Sequence, residues 1–316
     1  MENILITGSN GQLGSVLTRT LQKIYGEDHV IATDISTPAV ANGIFYNVDA
    51  KNQLALAQIV KRHKITQIYH MVAVLSAKAE DRPLDAWELN MQTFFNVLEV
   101  SRIFEVQKVF FPSSIAVFGS NAPKQMTPQD SPLNPSTVYG MSKVAGENWS
   151  QYFFHKYGLD VRSLRYPGVI GHQSLPGGGT TDYAVDIYHK ALESGRFDCF
   201  LNPDTKLPMM YMDDTIRATV ELMQAPSEQI KVRTAYNLAA MSFSPEEIAS
   251  SIQKEIGEFE IEYQPDFRQQ IAASWPQSID DTIAREQWGW KPAFSLDGMT
   301  KVMLSSLTEK YQLALA

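Results

Sequence analysis

Apolar residues in this chain fall into short runs separated by longer stretches of helical periodicity. Asn3-Ile-Leu-Ile-Thr7 is a β-branched apolar run ended by Gly8, and it predicts a buried strand. Apolar positions then recur at helical spacing from Gln12 to Ile24, and His29-Val-Ile-Ala-Thr33 predicts a second strand ending at Asp34. The same reading gives a helix over 53–63, a strand over Gln67–Val72 and a long helix from Pro83 to Phe104, with proline acceptable in its first turn. A strand at Lys108–Pro112, a Pro/Asn/Ser/Thr-rich loop over 120–137, a helix from Tyr139 to Tyr157 and a strand at Asp160–Tyr166 complete the series. Such alternation implies a parallel, doubly wound α/β sheet. After Pro167 the regularity loosens: Pro176-Gly-Gly-Gly179 reads as a flexible loop and 182–194 as a helix, followed by mixed short elements. The expected organisation is a main domain of 1–170 plus about 209–238, and a smaller subdomain of 171–208 and 239–316.

Composition adds exclusions. With 44% hydrophobic and 20% charged residues the chain reads as an ordinary globular protein. A net charge of −8 argues against nucleic-acid or anionic-membrane partners. The single cysteine, Cys199, excludes an internal disulfide and suits a reducing compartment. No apolar stretch has the length needed to span a bilayer, and residues 1–7 run straight into a glycine loop with no room for a signal peptide. A cytoplasmic protein is expected, and no metal.

The chemistry begins at Thr7-Gly8-Ser-Asn-Gly11-Gln-Leu-Gly14, between the first predicted strand and helix. Glycines there permit a tight turn and close approach of backbone to a pyrophosphate, whose charge the helix N-terminus favours. Asp34, twenty residues after Gly14 at the end of the second strand, is placed to bond adenosine ribose hydroxyls, which favours NAD over NADP. Asp49 either reaches the adenine amino group or caps a turn. Downstream, Tyr139 and Lys143 lie four apart on one predicted helical face. A phenol is a poor base at neutral pH, and a nearby ammonium together with a cationic nicotinamide ring favours the phenolate. The pair is therefore suited to taking a proton from an alcohol while hydride leaves its carbon.

Pro135-x-x-x-Tyr139-Gly-x-Ser-Lys143 and Ser113-Ser114-Ile-Ala-Val-Phe-Gly119, with the glycine loop and Asn90, resemble the extended, epimerase-like branch of the short-chain dehydrogenases/reductases. The resemblance implies a Rossmann fold binding NAD, with the smaller subdomain holding substrate. Carried over residue by residue, it implies cofactor contacts at Gly8, Gly11, Gln12, Leu13, Gly14 and Asp34, with Asp49, Val72 and Ala73 following. Asn90 joins that set, although bonding backbone across the sheet is its preferred role. Tyr139 and Lys143 contact the cofactor as well as act, and Tyr166-Pro-Gly-Val-Ile170 matches the segment holding the nicotinamide carboxamide, through Tyr166, Pro167 and Val169. Ser114 aligns with the serine that bonds the reacting oxygen, with Ser113 as the near alternative.

Leu175–Ala184, Leu207–Asp214, Ser274–Asp281 and Trp288-Gly-Trp290 resemble one branch more narrowly, the short-chain type of L-threonine 3-dehydrogenase. That implies oxidation of the L-threonine β-hydroxyl by NAD to 2-amino-3-oxobutanoate. Ser76, Ser114, Tyr139, Thr180 and Thr181 are the expected substrate contacts. Asp182 is expected to cap the following helix in preference to facing the substrate ammonium, and Trp275 either walls the substrate or packs between subdomains. A nucleotide-sugar 4-epimerase or dehydratase is the alternative, weakened because Leu207 and Pro208 replace an Arg-Asp pair, with Arg217 and Arg233 remaining for a diphosphate. A non-catalytic NAD sensor is disfavoured by the presence of both Tyr139 and Lys143. The resemblance also implies a homodimer through helices 83–104 and 139–157, with Phe94, Phe95, Trp149, Tyr152 and Phe153 either supplying its apolar surface or facing the sheet.

Overall fold

The computed structural model describes residues 2–38 and 42–315. Strands β1 (Ile4–Thr7), β2 (Val30–Asp34), β3 (Ile44–Asn47), β4 (Gln67–His70), β5 (Lys108–Ser114) and β6 (Asp160–Tyr166) pair in parallel, in the spatial order β6-β5-β4-β1-β2-β3. Helices α1 (Gln12–Tyr25), α2 (Gln53–His63), α3 (Ser76–Ala79), α4 (Pro83–Ile103) and α5 (Val138–Tyr157) provide the crossovers. The order reverses between β1 and β4, the switch point at which doubly wound sheets open a crevice.

Successive side chains on a strand point to opposite faces, so both faces of a parallel sheet must be covered. Ile4 and Ile6 of β1 pack with Leu17 and Leu21 of α1, whereas Leu5 between them packs with Leu56 of α2 and Val97 of α4. The predicted elements therefore stand, with boundaries shifted by a residue or a few; the Ile44–Asn47 strand was visible in sequence only as an apolar stretch before Asp49.

Beyond β6 the chain forms β7 (Gly168–Ile170), α6 (Tyr183–Glu193), β8 (Arg196–Cys199), β9 (Leu207–Tyr211), α7 (Met212–Gln224), β10 (Tyr236–Asn237), β11 (Met241–Phe243), α8 (Pro245–Ile256), β12 (Glu260–Tyr263), α9 (Phe267–Ser274), α10 (Thr282–Trp288) and α11 (Leu296–Leu315). Within 209–238, β10 joins the main sheet beside β6, whereas β9 pairs with β7 and β11 in a separate three-stranded sheet. Helices α6, α8 and α11 gather a second core around Tyr183, Tyr188, Ile248 and Met303, and Cys199 is buried in it. Among the described residues no helix is long and apolar enough to cross a membrane.

Helix α5 approaches the sheet closely because two of its positions are glycine. A Cβ on Gly140 would lie 2.2 Å from the Ala116 carbonyl oxygen, and one on Gly146 would lie 2.2 Å from the Phe111 ring. A methyl at Gly146 must push Phe111 out of its stack on Phe94, where the ring centroids are 4.2 Å apart. Gly146→Ala is therefore expected to destabilise the fold by about 1–3 kcal/mol, seen as a lower urea midpoint. An unchanged midpoint would show that the seam has slack.

Candidate active site

Tyr139, Lys143 and Ser114 meet at the carboxyl end of β5, in a cleft with about 800 Å³ of space, open solvent included. Thr137 starts α5 by accepting from the Gly140 N–H at 3.1 Å, which fixes the first turn carrying Tyr139. Lys143 Nζ donates to the Pro112 carbonyl at 2.7 Å and stands 5.3 Å from the centre of the Tyr139 ring. The Ser114 hydroxyl accepts from the Ala116 N–H at 3.1 Å and lies beside the Tyr139 phenol in the cleft. Ser113 is turned the other way, donating to Glu147 Oε1 at 2.6 Å inside the core. Of the two serines, only Ser114 presents its hydroxyl to Tyr139.

Burial governs the ionisation of these groups. It pushes the Tyr139 phenol up to about 12, against the lowering effect of the Ser114 hydroxyl beside it. It pulls the Lys143 ammonium down to about 7. Beneath Lys143, His70 is fully buried: Nδ1 is 2.8 Å from Thr7 Oγ1, and Nε2 is 3.3 Å from Thr93 Oγ1. Burial, with a smaller push from the Lys143 charge, lowers His70 to about 3.

The glycine loop has the form a dinucleotide requires. Gly8 holds φ +75°, and a Cβ there would lie 2.9 Å from the Val72 nitrogen, so the loop rests on the chain leaving β4. A Cβ at Gly14 would lie 2.1 Å from the Gly8 carbonyl oxygen, so only glycine lets α1 start this close. Gly11 caps α1 without a side-chain hydrogen bond, which leaves the first-turn N–H groups to an anion. Gln12 and Leu13 line the cleft, and the buried Gln12 amide nitrogen has no protein partner. Asp34 Oδ2 accepts from the Asn10 N–H at 3.0 Å, and its Oδ1 from the Ser36 N–H at 3.1 Å, which ties the loop to β2 with lone pairs to spare. These features fit NAD: Gln12, Leu13 and the loop would hold its pyrophosphate, and Asp34 its ribose.

The other sequence-predicted positions divide. Ser76, Ala73, Tyr166, Pro167, Val169 and Thr181 line the cleft. The Tyr166 hydroxyl itself turns away to Thr219. Asn90 supports the cleft from behind: its Oδ1 accepts from the Val74 N–H at 2.8 Å and its Nδ2 donates to Ser142 Oγ at 3.2 Å. Asp49 closes a turn by accepting from the Lys51 N–H at 2.8 Å. Thr180 is buried, with its hydroxyl 3.2 Å from that of Ser76.

One expectation is corrected. Asp182 makes no side-chain cap on α6; its Oδ2 instead accepts from the N–H groups of Gly177, Gly178 and Gly179 at 2.7, 2.7 and 2.8 Å. The glycine run has no side chains of its own to set its shape, and this carboxylate supplies the missing fixed points. Burial holds the Asp182 carboxyl above its ordinary value despite the three donors. Trp275 lines the cleft and is buried in the second core. Met71, Leu75 and Ile115 add apolar wall that no sequence motif singles out.

His70 generates a pH prediction. Its folded pKa, about 3, lies below its ordinary 6.5, so between those values the unfolded chain binds a proton that the folded chain refuses. Its contribution is complete above pH 6.5 and is lost as pH falls toward 3, about 2 kcal/mol by pH 5. Urea midpoints of His70→Gln should fall less between pH 6.5 and pH 5 than those of the parent; parallel falls would refute the role.

Comparison with known proteins follows the same lines. The model of the NAD-dependent epimerase/dehydratase family matches residues 4–239. The chain is similar to a solved partial consensus L-threonine 3-dehydrogenase, with 49% identity, TM-score 0.96, and coverage of 97% of this chain and 99% of that one. It is equally similar to an L-threonine dehydrogenase from Cupriavidus necator in its holo form, at 49% identity and TM-score 0.95 over 96% of this chain and 99% of that one. An uncharacterized epimerase/dehydratase of Staphylococcus haemolyticus is 48% identical over 99% of both chains.

Proposed function

Because the chain belongs to the NAD-dependent epimerase/dehydratase family, we propose that it is an L-threonine 3-dehydrogenase, oxidising the substrate β-hydroxyl to give 2-amino-3-oxobutanoate. The observation that carries this reading is the cleft itself. Tyr139 and Ser114 line it side by side, so both can address a single alcohol oxygen. Hydride acceptance is the chemistry NAD supplies when bound. Tyr139 removes the hydroxyl proton, Ser114 holds the oxygen, and the Lys143 ammonium lowers the cost of the phenolate. Ser76 and Thr181 line the same cleft, where hydroxyls and backbone N–H groups can receive a small carboxylate.

Two observations weigh against the sugar-nucleotide alternative. Among the described residues lining the cleft, Lys143 is the only Lys or Arg. Arg217 is bound to Asp214 and Glu221, and Arg233 to Asp160, so both arginines left open by the sequence are engaged in ion pairs outside it. A second diphosphate, beyond the one the glycine loop would hold, has only Lys143 as a cation in the cleft to receive it.

The homodimer belongs to this proposal as well. Phe94 and Phe153 are buried in the core, so of the two readings open for them they face the sheet and form no contact surface. Trp87, Trp149, Tyr152 and Tyr157 remain substantially exposed on α4 and α5, and they supply the apolar face for a second copy.

Protein mixed with NAD and L-threonine should generate NADH absorbance, and NADH-free epimerisation of UDP-galactose instead would sink the reading. Tyr139→Phe should lower turnover by about 10²–10⁴-fold with NAD affinity retained. Lys143→Met removes the charge that favours the phenolate, so the acid limb of kcat/KM should move to higher pH; a limb that stays in place would exclude that role for the lysine.

A further inference from the structure

Helix α5 meets β5 at three successive contacts, spaced four residues apart on the helix. Tyr139 stands beside Ser114 in the cleft, Lys143 Nζ donates to the Pro112 carbonyl at 2.7 Å, and Glu147 Oε1 accepts from the Ser113 hydroxyl at 2.6 Å. In the third contact the Ser113 hydroxyl is turned from the cleft into the core, and it has no part in the chemistry described so far. Glu147 is fully buried, and Arg165 of β6 holds it with two bonds, Nε to Oε1 at 3.0 Å and Nη2 to Oε2 at 2.8 Å.

We propose that Glu147 is a positioning residue for the reaction, setting the register of α5 on the end of β5 so that Ser114 and Tyr139 reach one substrate oxygen. The inference rests on the dehydrogenase reading for its substrate, but not for its geometry. Ser113 and Ser114 are adjacent and point to opposite sides of β5, so fixing the Ser113 hydroxyl fixes the backbone that carries Ser114. Glu147 likewise lies one helical turn beyond Lys143.

The same pair also anchors the opposite wall. Arg165 Nη1 donates to the Gln129 carbonyl at 2.8 Å and to Asn237 Oδ1 at 3.1 Å. Asn237 Nδ2 in turn donates to the carbonyls of Thr127 and Asp280 at 3.0 and 3.1 Å. Thr127 pairs with Ile279, and Lys124 Nζ donates to the Trp275 carbonyl at 3.0 Å, which holds the tryptophan that lines the cleft. One buried anion thus references the catalytic serine, the catalytic helix and the far wall to each other.

The test uses Glu147→Asp, which keeps the charge opposite Arg165 but withdraws the carboxylate by one methylene, and Ser113→Ala, which removes the contact without stranding a buried charge. Each should lower kcat for L-threonine by roughly 10–100-fold, the scale of a misplacement of about 1 Å, with NAD affinity and the KM for NAD within about twofold of the parent. A merely structural role predicts that kcat tracks the folded fraction, so wild-type kcat in folded Ser113→Ala and Glu147→Asp overturns the proposal. If the parent itself makes no NADH from L-threonine, the substrate reading has failed and the inference is read from tyrosinate absorbance of the NAD complex, with Tyr139→Phe as blank. There, a raised Tyr139 pKa in Ser113→Ala supports the register role, and an unchanged one overturns it.

Discussion

The close approach of α5 to the sheet is the constraint on which the rest of the site depends. A helix normally packs on a sheet through its side chains, which keep backbones apart. Here Gly140 sits against the Ala116 carbonyl and Gly146 against the Phe111 ring, so the helix lies nearer than side chains would permit. Short side chains and direct backbone contacts then become possible, and Lys143 can reach the Pro112 carbonyl while its methylene stem stays buried. Burial at that depth lowers the lysine and raises the tyrosine. Both shifts disfavour the charged forms of the very groups the proposed reaction uses. The protein meets this by placing the two near each other, so that a bound cationic cofactor ring would act on a phenol already flanked by Lys143 and Ser114.

Burying Glu147 and Arg165 is a second cost of the same design. Removing two charges from water is rarely offset fully by their mutual attraction, and apolar replacements of equal volume are often no less stable. The pair is better explained by what it specifies. Beyond the two bonds within the pair, Glu147 Oε1 and Arg165 Nη1 are used by neighbours from different parts of the chain: Ser113, Gln129 and Asn237. A mispacked alternative would strand a charge, so the arrangement penalises wrong registers more than it stabilises the right one.

Much of this was legible in the sequence because it is written in local patterns. The strand and helix periods gave the sheet, and Gly8, Gly11, Gly14 and Asp34 marked its first crossover. Tyr139 and Lys143 announced themselves by spacing and residue type. What escaped was determined by contacts between distant segments. Asp182 stands where a helix cap belongs and looks like one, yet three consecutive glycine N–H groups are better donors for it than its own helix. The choice between Ser113 and Ser114 turned on the strand's pleat, which a single sequence does not fix. Glu147 continued the spacing of Tyr139 and Lys143 in plain view, but its partner Arg165 lies on the next strand and only the fold joins them.

The four-residue spacing of those three contacts also bears on how such an enzyme can change over time. A helix advances about 100° per residue, so inserting or deleting one residue between Tyr139 and Glu147 would swing part of the set off the strand at once. Point substitutions around the cleft alter single contacts, and length changes in the 120–137 or 171–181 loops reshape its walls while leaving the spacing intact. Divergence toward new alcohols is therefore confined to the loops and walls, and the Tyr139–Glu147 segment is fixed in length even where its sequence is free to drift.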